Sequence, residues 1–152
     1  MTFKDFIKQP RGPYHFDTWL YKLQVPSSIG NLPLELYTDI DGVPSQEMIN
    51  LAHELAVYAA ANGEELLNIV HAHYRKFELK GWLSYWGVPS GLSRTDVLRL
   101  SDSITLNVHS DLYASVLVDP KWDPEHQLAL TFCGKITEIN EEPFDIIDGV
   151  LS

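Results

Sequence analysis

Ala114-Ser-Val-Leu-Val118, Trp122-Asp-Pro-Glu-His126 and Leu128-Ala-Leu-Thr-Phe132 stand one after another in the chain, and their reading decides the fold. The two apolar runs are rich in β-branched and aromatic residues at strand length. Pro120, Asp123 and Pro124 between them cannot continue a central strand and favour a turn. The result is a hairpin carrying one aromatic, Trp122, and three ionisable groups, Asp123, Glu125 and His126, at its tip.

Working outward, Ile104, Leu106 and Val108 alternate with Thr105, Asn107 and His109 as a strand, and Ser110-Asp111 turns it into Leu112 to Val118. After the hairpin, Gln127 to Phe132 forms the next strand, and Gly134-Lys135 turns into a last one at Ile136 to Ile139. Upstream, Trp19, Tyr21, Leu23 and Val25 share one face of a strand over Phe16 to Val25. Leu34, Leu36 and Ile40 share one face of another, and Pro26 to Pro33 reads as the loop between them. Residues 1–15, with Pro10, Gly12 and Pro13, read as an irregular lead-in.

Between these two groups of strands the period changes. Ser45 is an N-cap, and Met48, Leu51, Ala52, Leu55, Ala56 and Ala59 recur at helical spacing. Asn62-Gly63 breaks the helix, both residues tolerating left-handed backbone. A second helix carries Leu66, Leu67, Val70, Tyr74 and Phe77, and Ser93-Arg-Thr-Asp96 opens a short third. The expectation is an α+β fold, a single domain over residues 1–152, with an antiparallel sheet of about six strands and a helix pair packed on one face.

Trp82, Tyr85 and Trp86 fall in a stretch punctuated by Gly87, Pro89 and Gly91. They read either as a recognition surface, since Trp and Tyr anchor interfaces, or as a lid over the core. His71 and His73 lie two apart on a helix, point to different sides and do not share a metal ion; they read as surface or partly packed histidines.

The net charge of −10 and pI near 4.8 argue against a nucleic-acid binder, which needs clustered Lys and Arg. A basic protein partner suits the charge. Met1 to Lys8 lacks the apolar run of a signal peptide, no stretch is long and apolar enough to span a bilayer, and the one cysteine, Cys133, forms no intramolecular disulfide. A cytosolic location is expected. Cys133, placed in a strand before Gly134, reads as a buried inert thiol. The tail from Asn140 reads as acids in water, with Phe144, Ile146, Ile147 and Val150 docking as a final turn.

The order of elements, with Trp122-Asp-Pro-Glu-His126 between strands, resembles a family of small acidic bacterial domains marked by a Trp-Asp-x-Glu-His-Gly hairpin. The resemblance runs over roughly Pro44 to Phe144; Gln127 stands where that pattern has Gly. It implies an immunity or interaction role in toxin systems, and so a toxin as partner.

The tip itself admits three readings: a structural turn, a protein-docking surface, or an acid–base or metal set formed by Asp123, Glu125 and His126. No phosphate-cradling glycine loop or nucleophile elbow accompanies it. The expectation is therefore a non-enzymatic, cofactor-free protein that binds a partner through Trp122, Asp123, Glu125, His126, Trp82, Tyr85 and Trp86. A small hydrolase using Asp123, Glu125 and His126 is the alternative, and a subunit self-associating through Trp82, Tyr85 and Trp86 is a further one.

Overall fold

The computed structural model describes residues 1–143. The described residues form nine strands and three α-helices: β1 (Phe6–Lys8), β2 (Phe16–Tyr21), β3 (Val25–Ser27), β4 (Gly30–Leu32), β5 (Leu34–Asp39), α1 (Gln46–Ala61), α2 (Gly63–Leu79), α3 (Arg94–Arg99), β6 (Ser101–His109), β7 (Ala114–Pro120), β8 (His126–Phe132) and β9 (Ile136–Pro143). Seven strands make one sheet in the order β1-β2-β5-β6-β7-β8-β9, and β3-β4 is a separate hairpin. The fold is α+β, as expected, and the sheet is largely antiparallel.

Seven strands replace the expected six because the lead-in is not irregular throughout. Phe6, Ile7 and Lys8 pair with Tyr21, Leu20 and Trp19, ahead of the prolines that interrupt residues 10–13. The sheet is also mixed, not wholly antiparallel: β5 and β6 run parallel, with Leu34 beside Leu106 and Leu36 beside Val108. A parallel pair requires a long crossover, and α1, α2 and α3 supply it. The helix pair is therefore the connection between the two halves of the sheet. Leu34, Leu36, Leu106, Val108, Val116, Val118, Leu128 and Leu130 share one core with Met48, Ile49, Ala52, Leu55 and Ala59 of α1.

Two strand ends differ from the alternation pattern. Leu23 is 67% exposed because the chain bends after Tyr21, and Val25 belongs to the β3-β4 hairpin that replaces the expected loop. Ile40 is 46% exposed, since β5 ends at Asp39 and the chain turns there. That turn is held from outside. Asp17, buried on β2, accepts the Asp41 backbone N–H at 2.8 Å and the Arg11 guanidinium at 2.7 and 2.9 Å, with Lys8 Nζ at 3.3 Å.

The Arg11 hydrogen bond holds the Asp17 carboxyl well below the usual carboxylate range, against the opposing effect of desolvation. A depressed carboxyl stabilises the fold above its unfolded pKa of about 3.9 and loses that contribution as pH falls toward the folded value. Urea midpoints measured between pH 7 and pH 2 should therefore drop below pH 4 in the wild type. Asp17→Asn should start lower at neutral pH and drop less steeply; parallel curves would refute the assignment.

The helix break at Asn62-Gly63 is where expected, for a different reason. Asn62 has φ −123° and caps α1 through its backbone and side-chain nitrogens, both donating to Tyr58 O. Gly63 is a point of close approach to the β3-β4 hairpin: a Cβ there would displace Ser28 Oγ and come within 3.3 Å of Ser28 Cβ and N. Cys133 is exposed, not buried, because β8 ends at Phe132 and Cys133 lies in the turn with Gly134. β9 runs on past Ile139 to Pro143, so Glu141 and Glu142 are strand residues paired with Leu128 and Gln127. The docking expected of Phe144, Ile146, Ile147 and Val150 lies outside the described residues. Among the described residues no helix is long and apolar enough to cross a membrane.

Candidate functional site

The β7–β8 turn is closed by the Asp123 N–H on Pro120 O at 3.2 Å and the His126 N–H on Asp123 O at 3.3 Å. Its aromatic does not point outward. Trp122 is fully buried, its ring edge-on to Tyr74 of α2 at 5.7 Å between centroids, and its indole N–H donates to His73 Nδ1 at 2.9 Å. Trp122 therefore contributes to the site from beneath, as the anchor of the turn on α2, and offers a partner no surface.

Asp123 is buried, Glu125 exposed and His126 partly exposed. An extended segment would have placed Asp123 and Glu125 together with His126 opposite. The chain is turned here instead, and His126 Nδ1 sits 3.0 Å from both Asp123 carboxylate oxygens. That hydrogen bond raises the His126 pKa above its ordinary value, against a small opposing desolvation.

Trp82, Tyr85 and Trp86 surround a 3-10 turn over Leu83–Trp86. Leu83 and Val88 face the core in their place, and the aromatics are exposed, Tyr85 by 78%. The segment is strapped to α2. Trp82 N–H donates to Phe77 O at 3.0 Å, Tyr74 Oη donates to Pro89 O at 2.7 Å, and the Gly91 N–H donates to the Glu78 carboxylate. Gly87 has φ +66°, the left-handed turn that lets the chain double back so that Val88 N–H reaches Leu83 O. Trp82 stands edge-on to Phe77 at 5.3 Å and carries Lys80 Nζ over its ring at 4.5 Å.

These two segments meet. Trp82, Tyr85, Trp86, Asp123, Glu125 and His126, with Phe77 and Glu141, line one cleft of about 390 Å³. Six of the seven residues expected from the sequence are thus brought together, and the seventh, Trp122, is buried in the core beside His73 and Tyr74.

His73 and Glu141 complete the arrangement and were not legible as site residues. His73 Nε2 lies 2.8 Å from Glu141 Oε1, which also accepts from Lys76 Nζ at 2.8 Å. Burial lowers the His73 pKa. Burial also pushes Glu141 up, but its bonds to Lys76 and His73 outweigh this and leave it below its ordinary value. The available signal for His73 was its place in the buried stripe of Val70, Tyr74 and Phe77; its neighbour His71 faces another way, its Nε2 3.3 Å from Leu92 O.

Ligand atoms of His73, Asp123 and Glu141 lie within 4.8 Å of one another, a metal-like grouping. The donor set does not fit a cation. An indole N–H only donates, so His73 Nδ1 must be its lone-pair nitrogen, and Nε2 carries the proton given to Glu141. Ligation through Nε2 would move that proton to Nδ1 and set two N–H groups against each other in the core, at the cost of unmatched buried donors. For acid–base chemistry the Asp123–His126 pair is suitably built, and among the described residues the cleft lining contains no serine, threonine or cysteine to serve as a nucleophile.

No family model, curated protein or solved structure matches the chain.

Proposed function

We propose that the protein is a non-enzymatic interaction protein that holds a basic protein partner at the cleft between the Trp82–Trp86 turn and the Trp122–His126 turn. One observation carries this reading: two segments about forty residues apart, one aromatic and one acidic, line a single cleft whose walls are fixed by hydrogen bonds to α2. Rigid aromatic side chains lose little conformational entropy on binding, and a chain of net charge −10 draws in a basic partner. An immunity protein neutralising a toxin, as the Trp-Asp-x-Glu-His resemblance implies, is one form such binding takes.

The test is quantitative capture from the source organism at low salt, comparing wild type with Tyr85→Ala/Glu125→Lys. Both substitutions fall on exposed side chains, so the variant should keep the wild-type melting temperature. The expected result is a basic protein held by the wild type, at least about tenfold depleted on the variant, a difference of about 1.4 kcal/mol, and released by salt. Equal retention by both proteins refutes the reading. The exposed aromatics also support self-association, and dependence of mass on concentration in light scattering, abolished by Tyr85→Ala, would favour that second reading.

A further inference from the structure

We infer that the cleft is a guanidinium pocket, which takes the side chain of one arginine of the partner against the aromatic wall with Glu125 as its carboxylate. The inference rests on the cleft being the docking site.

Three carboxylates line the cleft, but they are not equivalent. Asp123 is engaged by His126, and Glu141 by Lys76 and His73. Glu125 is exposed and makes no hydrogen bond or ion pair with the described residues, so its charge is available to a guest. Lys76 is paired with Glu141 and His126 with Asp123, while Lys80 lies over Trp82, so Glu125 is the lining carboxylate left without a cation among the described residues.

The wall favours the same guest. Trp82 already holds a cation of its own chain, Lys80, over its ring, which leaves Tyr85 and Trp86 as the unclaimed aromatic surfaces. An ammonium is a compact and strongly hydrated point charge. A guanidinium is planar and weakly hydrated, stacks on aromatic faces and presents a fork of N–H donors to a carboxylate. In an open cleft, where full desolvation is not available, the second is the better match. A volume of about 390 Å³ has room for the guanidinium and its methylene stem.

The test follows the indole and backbone amide signals of the ¹⁵N-labelled protein while N-acetylarginine amide is added, with N-acetyllysine amide and the neutral isostere N-acetylcitrulline amide as controls. The expected result is saturable movement of the Trp82 and Trp86 indoles and of residues 123–126 with the arginine compound, at millimolar affinity, about −4 kcal/mol. Affinity should fall at least threefold in Glu125→Gln and in Tyr85→Ala, with the Trp122 indole signal unmoved as the check on folding. Lysine should bind more weakly, and citrulline should give no saturable change. Saturation by citrulline at the same concentrations, lysine binding as well as arginine, or no saturation by arginine below about 50 mM overturns the inference.

The two proposals fail separately. A partner lost with Tyr85→Ala/Glu125→Lys but no arginine selectivity leaves the docking site and removes the guanidinium. Arginine selectivity with partner capture unaffected by the variant leaves the pocket and removes the docking role.

Discussion

Trp122→Ala should lower the free energy of unfolding by about 3–5 kcal/mol, read from urea denaturation at neutral pH. The ring is fully buried against Tyr74 and His73, so truncation removes its apolar transfer energy and opens a cavity under the cleft. Against a total stability of about 5–15 kcal/mol for a domain, this approaches the loss of the fold. Trp122→Phe separates the two parts of the effect. It retains most of the packing but removes the indole N–H, leaving His73 Nδ1 a buried acceptor without a donor, at a cost of about 1–3 kcal/mol. A Trp122→Ala loss under about 1 kcal/mol would mean that the turn is a surface feature, as a simple hairpin tip would be.

The second large effect discriminates between residues that the alternation of β5 treats alike. Leu36→Ala should cost about 2–5 kcal/mol, because Leu36 is fully buried where the antiparallel β2-β5 pair joins β6 in parallel. Ile40→Ala should cost no more than about 1 kcal/mol, since the strand has ended and Ile40 is about half exposed. Comparable losses at the two positions would show that β5 continues through Ile40.

The same contrast explains how far the sequence could be read. Helix spacing from Met48 to Ala59 and from Leu66 to Phe77 placed α1 and α2 within three residues, because a long amphipathic stripe leaves a strand no way to bury it. The β6–β9 meander was equally legible, because short turns between apolar runs fix which strands are neighbours. Strand ends were not. Ile40 leaves the sheet because Asp17, on another strand, takes the Asp41 N–H, and no local pattern records that bond. β1 has three residues and one buried side chain, too little to leave a period.

For the site, the sequence marked Trp82, Tyr85, Trp86, Asp123, Glu125 and His126 by their chemistry, and separately. Their convergence in one cleft, with Glu141 beside them, was decided by β8 and β9 pairing in register and by Trp122 locking the turn onto α2. Sequence by itself determined the two long helices, the six longer strands and the acidic charge of the chain, because periodicity and composition act along the chain. Only the tertiary structure decided that the hairpin's tryptophan is core, that His73 and Glu141 belong with Asp123, and that β5 and β6 run parallel. Those depend on hydrogen bonds and close packing between residues far apart in sequence, whose energies exist only once the chain has closed on itself.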